Sequence, residues 1–134
     1  MRTAVVTRNA ALDAIRASFN SGLVRVYSGT RPTNADTALS GNTLLAQLTL
    51  NATAFPAASG GVLTANAITN DAAADATGTA SFVRVLQSDG TTVLADFSVS
   101  ATGGGGEMQF STISFAATVV VSMSSFTITY PVGS

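Results

Sequence analysis

Two carboxylates, Asp96 and Glu107, and a loop cluster of oxygen donors, Asn70, Asp71 and Asp75, come nearest to chemistry in this chain. Glycoside hydrolysis needs two acids flanking one bond. Asp96, however, alternates with Val93, Ala95, Phe97 and Val99, which predicts a solvated position on the polar face of a strand. Asn70, Asp71 and Asp75 have the oxygen chemistry for Ca²⁺. Their spacing is not that of an EF-hand loop and the turn glycine is missing, so ordinary loop residues are expected. The glycine run Gly103 to Gly106 offers backbone N–H groups, yet no Lys follows it and no helix pattern opens there. A flexible hairpin connection is the expectation.

The missing residue types exclude more than the present ones suggest. There is no His, Cys, Lys or Trp, and Glu107 is the only glutamate. Without His the chain lacks the usual general base near pH 7 and an imidazole metal ligand. Without Cys it has no thiolate, disulfide or zinc–thiolate site. Without Lys it has no Schiff base, and no His or Lys stands ready to activate the many serines. The sequence therefore predicts no enzyme activity, no catalytic residue, no cofactor and no metal.

Charge points the same way. Charged residues make up 10% of the 134 and the formal net charge is -1. The cations are Arg2, Arg8, Arg16, Arg25, Arg31 and Arg84, scattered with no basic stripe, so no nucleic-acid partner is expected. Hydrophobic residues are 46% and mean hydropathy is +0.40, yet no apolar run approaches membrane-spanning length. Met1 to Arg8 lacks the apolar core of a signal peptide, so the mature chain is expected to start at or near Met1. So few charges protect a free surface poorly, which predicts that another protein covers much of it.

One helix is readable before an all-β remainder. Asn9 has N-cap chemistry, and Leu12, Ile15 and Phe19 mark one apolar stripe. Asp13 and Arg16 have ion-pair spacing, and Gly22 suits a left-handed cap. Strands are expected over 23–28, 44–50 and 62–68, with loops over 29–41, 51–61 and 69–77. Residues 79–87 and 91–100 flank Ser88-Asp89-Gly90 as a hairpin. Beyond the glycines, 107–115 and 118–130 follow. In the latter the apolar phase slips at Ser124-Ser125, which predicts a β-bulge or a crossing between sheets. The expected fold is an antiparallel β-sandwich or jelly roll of about eight strands, with an arm and helix at 1–22 and one sandwich unit at 23–134.

Leu23-Val24-Arg25-Val26-Tyr27 echoes Phe82-Val83-Arg84-Val85-Leu86, each placing an Arg between two large apolar groups on one strand face. Arg and aromatic residues are enriched among interface anchors, so Arg25, Tyr27, Phe82 and Arg84 are the candidate protein-interface residues.

The run from Leu23 to Pro32, its continuation from Asn34 to Ala46, the stretch from Ala76 to Val85 and the ending Ser124 to Tyr130 resemble small virion proteins of tailed bacteriophages. The closest likeness within that group is to the jelly-roll cement, or head-decoration, proteins of short-tailed phages. The resemblance implies a homodimer or higher symmetric oligomer that sits on the capsid exterior after synthesis in the host cytoplasm. Its implied partner is the major capsid protein, and it implies no active site. A tail or baseplate component of the same kind of particle is the first rival. A carbohydrate-binding module on the phage surface is the second, disfavoured because the chain has no Trp and only Tyr27 and Tyr130 to serve as exposed aromatic platforms beside polar groups.

Overall fold

The computed structural model describes residues 1–132, so the last two positions of the expected 23–134 unit lie outside it. Among the described residues there is one α-helix, α1 (Val5–Arg16), a 3₁₀ turn (Ala17–Phe19) and ten strands. Strands β1 (Leu23–Tyr27), β2 (Leu44–Thr49), β5 (Phe82–Leu86) and β6 (Val93–Phe97) form one antiparallel sheet in the order β2-β1-β5-β6. Strands β3 (Val62–Thr64), β7 (Val99–Ala101), β8 (Met108–Phe110) and β10 (Met123–Thr129) form a second, in the order β3-β10-β8-β7. The short β4 (Gly78–Thr79) and β9 (Ser114–Phe115) pair with each other. No described helix is long and apolar enough to cross a membrane.

The two larger sheets share one core. Val24, Val26, Val83 and Val85, the echoing valines, are fully buried and cluster with Leu63, Met108, Phe110 and Phe126 of the second sheet. Four rings close a cycle through that core. Phe19 meets Phe55 at 5.6 Å, Phe55 meets Phe126 at 5.3 Å, Phe126 meets Phe97 at 4.9 Å and Phe97 returns to Phe19 at 6.4 Å. The turn after α1, the 51–61 loop and one strand of each sheet are thereby tied together, each ring pair adding about 0.5–1.5 kcal/mol beyond its buried area.

Several expectations hold. The hairpin forms, and its Gly90 takes a positive φ of 74°. The phase slip is a bulge: β10 skips register against β8 between Met123 and Ser125. The two echoing segments are antiparallel neighbours, with Val24 opposite Val85, Arg25 opposite Arg84 and Tyr27 opposite Phe82.

Others are corrected. The helix starts at Val5, behind an extended Ala4 without a side-chain cap, because Asn9 turns its Oδ1 to the Gly61 N–H at 2.8 Å instead of capping its own helix. Ser21, not Gly22, takes the left-handed conformation, at φ 54°. Gly22 is needed for space: a Cβ there would lie 2.9 Å from the Leu86 and Phe19 carbonyl oxygens. The strand expected over 62–68 ends at Thr64, since Asn66 turns aside to bond the Ala54 and Thr53 carbonyls. The first hairpin strand starts at Phe82, because Thr79 pairs with Ser114 in the small sheet.

The sheets are not wholly antiparallel. The 91–100 run breaks at Ser98, which carries the chain from the first sheet into the second, and β7 then pairs parallel with β8. A parallel return normally needs a crossover of a dozen or more residues. Here residues 102–107 suffice because both strands are three residues long. The glycines make that possible and are ordered, not a flexible linker. Gly103 donates to Gln109 Oε1 and Gly106 donates to Ser100 Oγ. A Cβ on Gly106 would sit 2.7 Å from Val99 and Ser100 backbone atoms.

Exposed strand edges invite pairing with other chains, and this fold blunts them. Thr69 and Asp75 bond the outer backbone of β2. β6 carries a register break against Val85–Leu86, and Arg31 Nη2 donates to its Asp96 carbonyl. β3 and β7 are three residues each.

Candidate functional site

Arg84 is the only buried charged residue among the described ones, at 5% exposure. Its Nε and Nη2 donate to the two carboxylate oxygens of Asp96 at 2.7 and 3.0 Å, a bidentate pair set by the Arg84–Asp96 register of β5 and β6. The hydrogen bond to Asp96 raises the Arg84 pKa above its already high ordinary value, against the opposing effect of burial. Asp96 is therefore not the solvated strand residue expected: its side chain is 4% exposed. It faces away from the intersheet core, and the 29–41 loop brings Arg31 Nη2 to its backbone carbonyl at 3.1 Å. The loop is shaped by Asn34, whose Oδ1 accepts from the Asp36 amide and the Thr37 hydroxyl and whose backbone carbonyl accepts from the Thr37 amide, and closed by Asn42, which donates to the Ser28 and Thr30 carbonyls.

The four candidate interface residues lie together, on one face of the β1–β5 pair, but not as free surface. Phe82 is fully buried and stacks on Tyr27 at 5.5 Å, and Tyr27 is itself buried. With Arg84 also enclosed, three of the four anchor the chain to itself. Arg25 alone keeps partial exposure, its Nε donating to Gln47 Oε1 at 2.9 Å.

The other candidates resolve as scaffold. Glu107 is exposed and accepts from the Ser98 amide and hydroxyl, clamping the point where the chain changes sheets. Its carboxylate shares no hydrogen bond with Asp96, which is committed to Arg84. Asp71 accepts from the Gln47 and Ala73 amides, and no cluster of three metal-ligating side chains exists among the described residues. At the hairpin turn, Asp89 accepts from the Thr92 hydroxyl and from the Thr92 and Thr91 amides, which lowers its pKa to about 2.

The helix holds what the apolar-stripe reading missed. Leu12 and Phe19 are buried as expected, but Ile15 is 45% exposed. The inward face is largely polar. Asn9 accepts from Gly61 N–H, Asp13 from Ala58 N–H at 2.8 Å, and Arg16 donates to the Phe55 carbonyl at 3.1 Å. The expected Asp13–Arg16 pair is present at 3.2 Å. The signal was available as a polar stripe at i, i+4 and i+7 over Asn9, Asp13 and Arg16.

Two clefts are large enough to consider. One of about 290 Å³ lies in the 29–42 loop, with Arg31 as its single charged lining residue. The other, about 270 Å³, is apolar and lies between the end of α1 and strands β6 and β10. Neither brings two titratable groups together, so neither has the arrangement of a general acid–base site. Comparison of the chain with protein-family models, curated proteins and solved structures returned no match.

Proposed function

We propose that this protein is a structural subunit of a tailed-phage particle that binds the capsid exterior and reinforces it. The observation that carries this reading is where the charges go. Five of the seven carboxylates (Asp13, Asp71, Asp89, Asp96 and Glu107) accept hydrogen bonds from the chain's own groups. Five of the six arginines donate to the chain's own acceptors. Groups used this way hold a scaffold together and are not available to a substrate. The resemblance to cement proteins and the small number of free charges point in the same direction. As part of the same reading, the two sheets are a jelly-roll-type sandwich whose departure is the parallel β7–β8 pair.

Reinforcement would act by mass action: a subunit that binds only the assembled lattice stabilises it, and many symmetric copies sum weak contacts. Particles lacking the protein should assemble with normal geometry and break at lower temperature. Adding purified protein should restore resistance, saturating at a fixed ratio to the major shell protein. Localisation to the tail alone, or stripped particles as robust as complete ones, would sink this reading.

A further inference from the structure

Helix α1 is fastened to the molecule mostly by polar contacts. Of its twelve residues six are exposed and only Leu12 is buried, and no side chain caps its first turn. A helix of this length is marginal in water by itself, so contacts outside it decide whether it stays formed. Asn9 Oδ1 accepts from the Gly61 N–H at 2.8 Å, Asp13 Oδ1 accepts from the Ala58 N–H at 2.8 Å, and Arg16 Nη1 donates to the Phe55 carbonyl at 3.1 Å. All three bonds land on residues 55–61, and that loop has supports of its own. Phe55 is buried in the ring cycle, Ala54 bonds Asn20 and Asn66, and Ser59 and Val62 exchange backbone bonds. Just beyond the helix, Phe19 is locked between Phe55 and Phe97. The lightly held segment therefore ends at the Ala17–Phe19 turn. Its Ile15 forms one wall of the apolar 270 Å³ cleft, whose lining also includes Phe19 and Phe97, each 4% exposed.

We propose that residues 1–16 are a latch: α1 opens as a unit while both sheets stay folded, and its opening uncovers the apolar cleft. Few buried apolar contacts put a segment at the low end of local stability. Opening costs the burial of Leu12, the three bonds to the 55–61 loop and the bond from the Thr3 N–H to the Val132 carbonyl. Hydrogen bonds of this kind contribute little net stability, because water replaces them on opening. Once Ile15 swings away, the cleft extends over Phe19 and Phe97. The closed state covers that apolar surface and the open state presents it, so whatever binds the open cleft shifts the latch toward opening. Nothing in this device depends on the virion reading.

The arginines make the opening measurable with trypsin, which cuts after Arg and Lys but not before Pro. The chain has no Lys, and Arg31 precedes Pro32. Arg25 and Arg84 lie in β1 and β5, the inner strands of their sheet, and are cut only on global unfolding. Arg8 and Arg16 lie in the latch. The folded protein should be cut at Arg8 and Arg16 while Arg25 and Arg84 stay intact. Cutting at Arg8 should vary little with urea below the unfolding transition, since the opening exposes only a small part of the surface. Asp13→Ala should speed cutting at Arg8 by about tenfold. It should tighten the binding of Nile red, an uncharged apolar dye, by the same factor, because both measurements read the open fraction. Saturating dye should in turn speed cutting at Arg8 in the unmodified protein. If cutting at Arg8 follows urea as steeply as cutting at Arg84, the opening is global and the latch is overturned. Dye affinity unmoved by Asp13→Ala would overturn the uncovering of the cleft.

Discussion

Arg25 and Arg84 stand opposite each other in the same strand pair, inside near-identical local sequences, and have different fates. Arg84 has β6 beside it, and β6 supplies Asp96 at the matching register. Arg25 has β2 beside it, and β2 supplies Gln47. One guanidinium is enclosed with a carboxylate, and the other stays partly in water against a neutral amide. Facing like charges on adjacent strands destabilise a sheet. Asp96 neutralises one of them, so both arginines are tolerated. The local five-residue pattern decides that an Arg faces the outer side, and the next strand decides what that Arg becomes.

The sharpest way to break this comparison is to truncate each arginine. Arg84→Ala should cost about 3–5 kcal/mol in denaturant unfolding, because it leaves a buried carboxylate without its partner. A loss under about 1 kcal/mol would mean that Asp96 regains water once its partner is gone. On the β6 side the core depends on the ring cycle, so Phe19→Ala should cost on the order of 3 kcal/mol; a negligible change would mean the turn after α1 is not anchored on Phe97 and Phe55. Arg25→Ala should cost less than about 1 kcal/mol. A loss matching that of Arg84→Ala would erase the distinction between the two halves of the sheet. The smallest effect concerns the turn joining β5 and β6. The lowered Asp89 pKa contributes stability that is complete above about pH 4 and lost as pH falls toward about 2. Asp89→Asn should flatten the acid limb of a stability–pH curve over that window and leave the neutral range comparatively unaffected.

Features written in local pattern were legible: the Asp89-Gly90 hairpin, the bulge at Ser124-Ser125, and the alternation that buries Val24, Val26, Val83 and Val85. What escaped depends on distant partners. Asp96 looks solvated by alternation because periodicity identifies two faces and cannot say that Arg84, twelve residues earlier, encloses its carboxylate on the second. Asn9 looks like a cap until Gly61 claims its side chain. The parallel β7–β8 pair violates the usual connection length and rests on the absence of side chains at Gly104 and Gly106, where any Cβ meets Ser100. At the candidate site, Arg25, Tyr27, Phe82 and Arg84 share one face of paired strands. That three of the four are buried was not legible, because burial depends on segments distant in the chain.

The β1–β5 pairing also bears on how quickly the molecule can form. Leu23 meets Leu86, and in the other sheet Thr64 meets Thr127, so both sheets are closed by contacts between residues some 60 positions apart. Such topologies pay loop-closure entropy before they gain contacts and fold in milliseconds to seconds. The β5–β6 hairpin, closed by a tight turn, is the segment able to form alone, in about 1–10 μs. Until β1 arrives, that hairpin presents β5, apolar at four of its five positions, with one edge unpaired. The interval between hairpin closure and β1 docking is thus when the nascent chain is most open to aggregation.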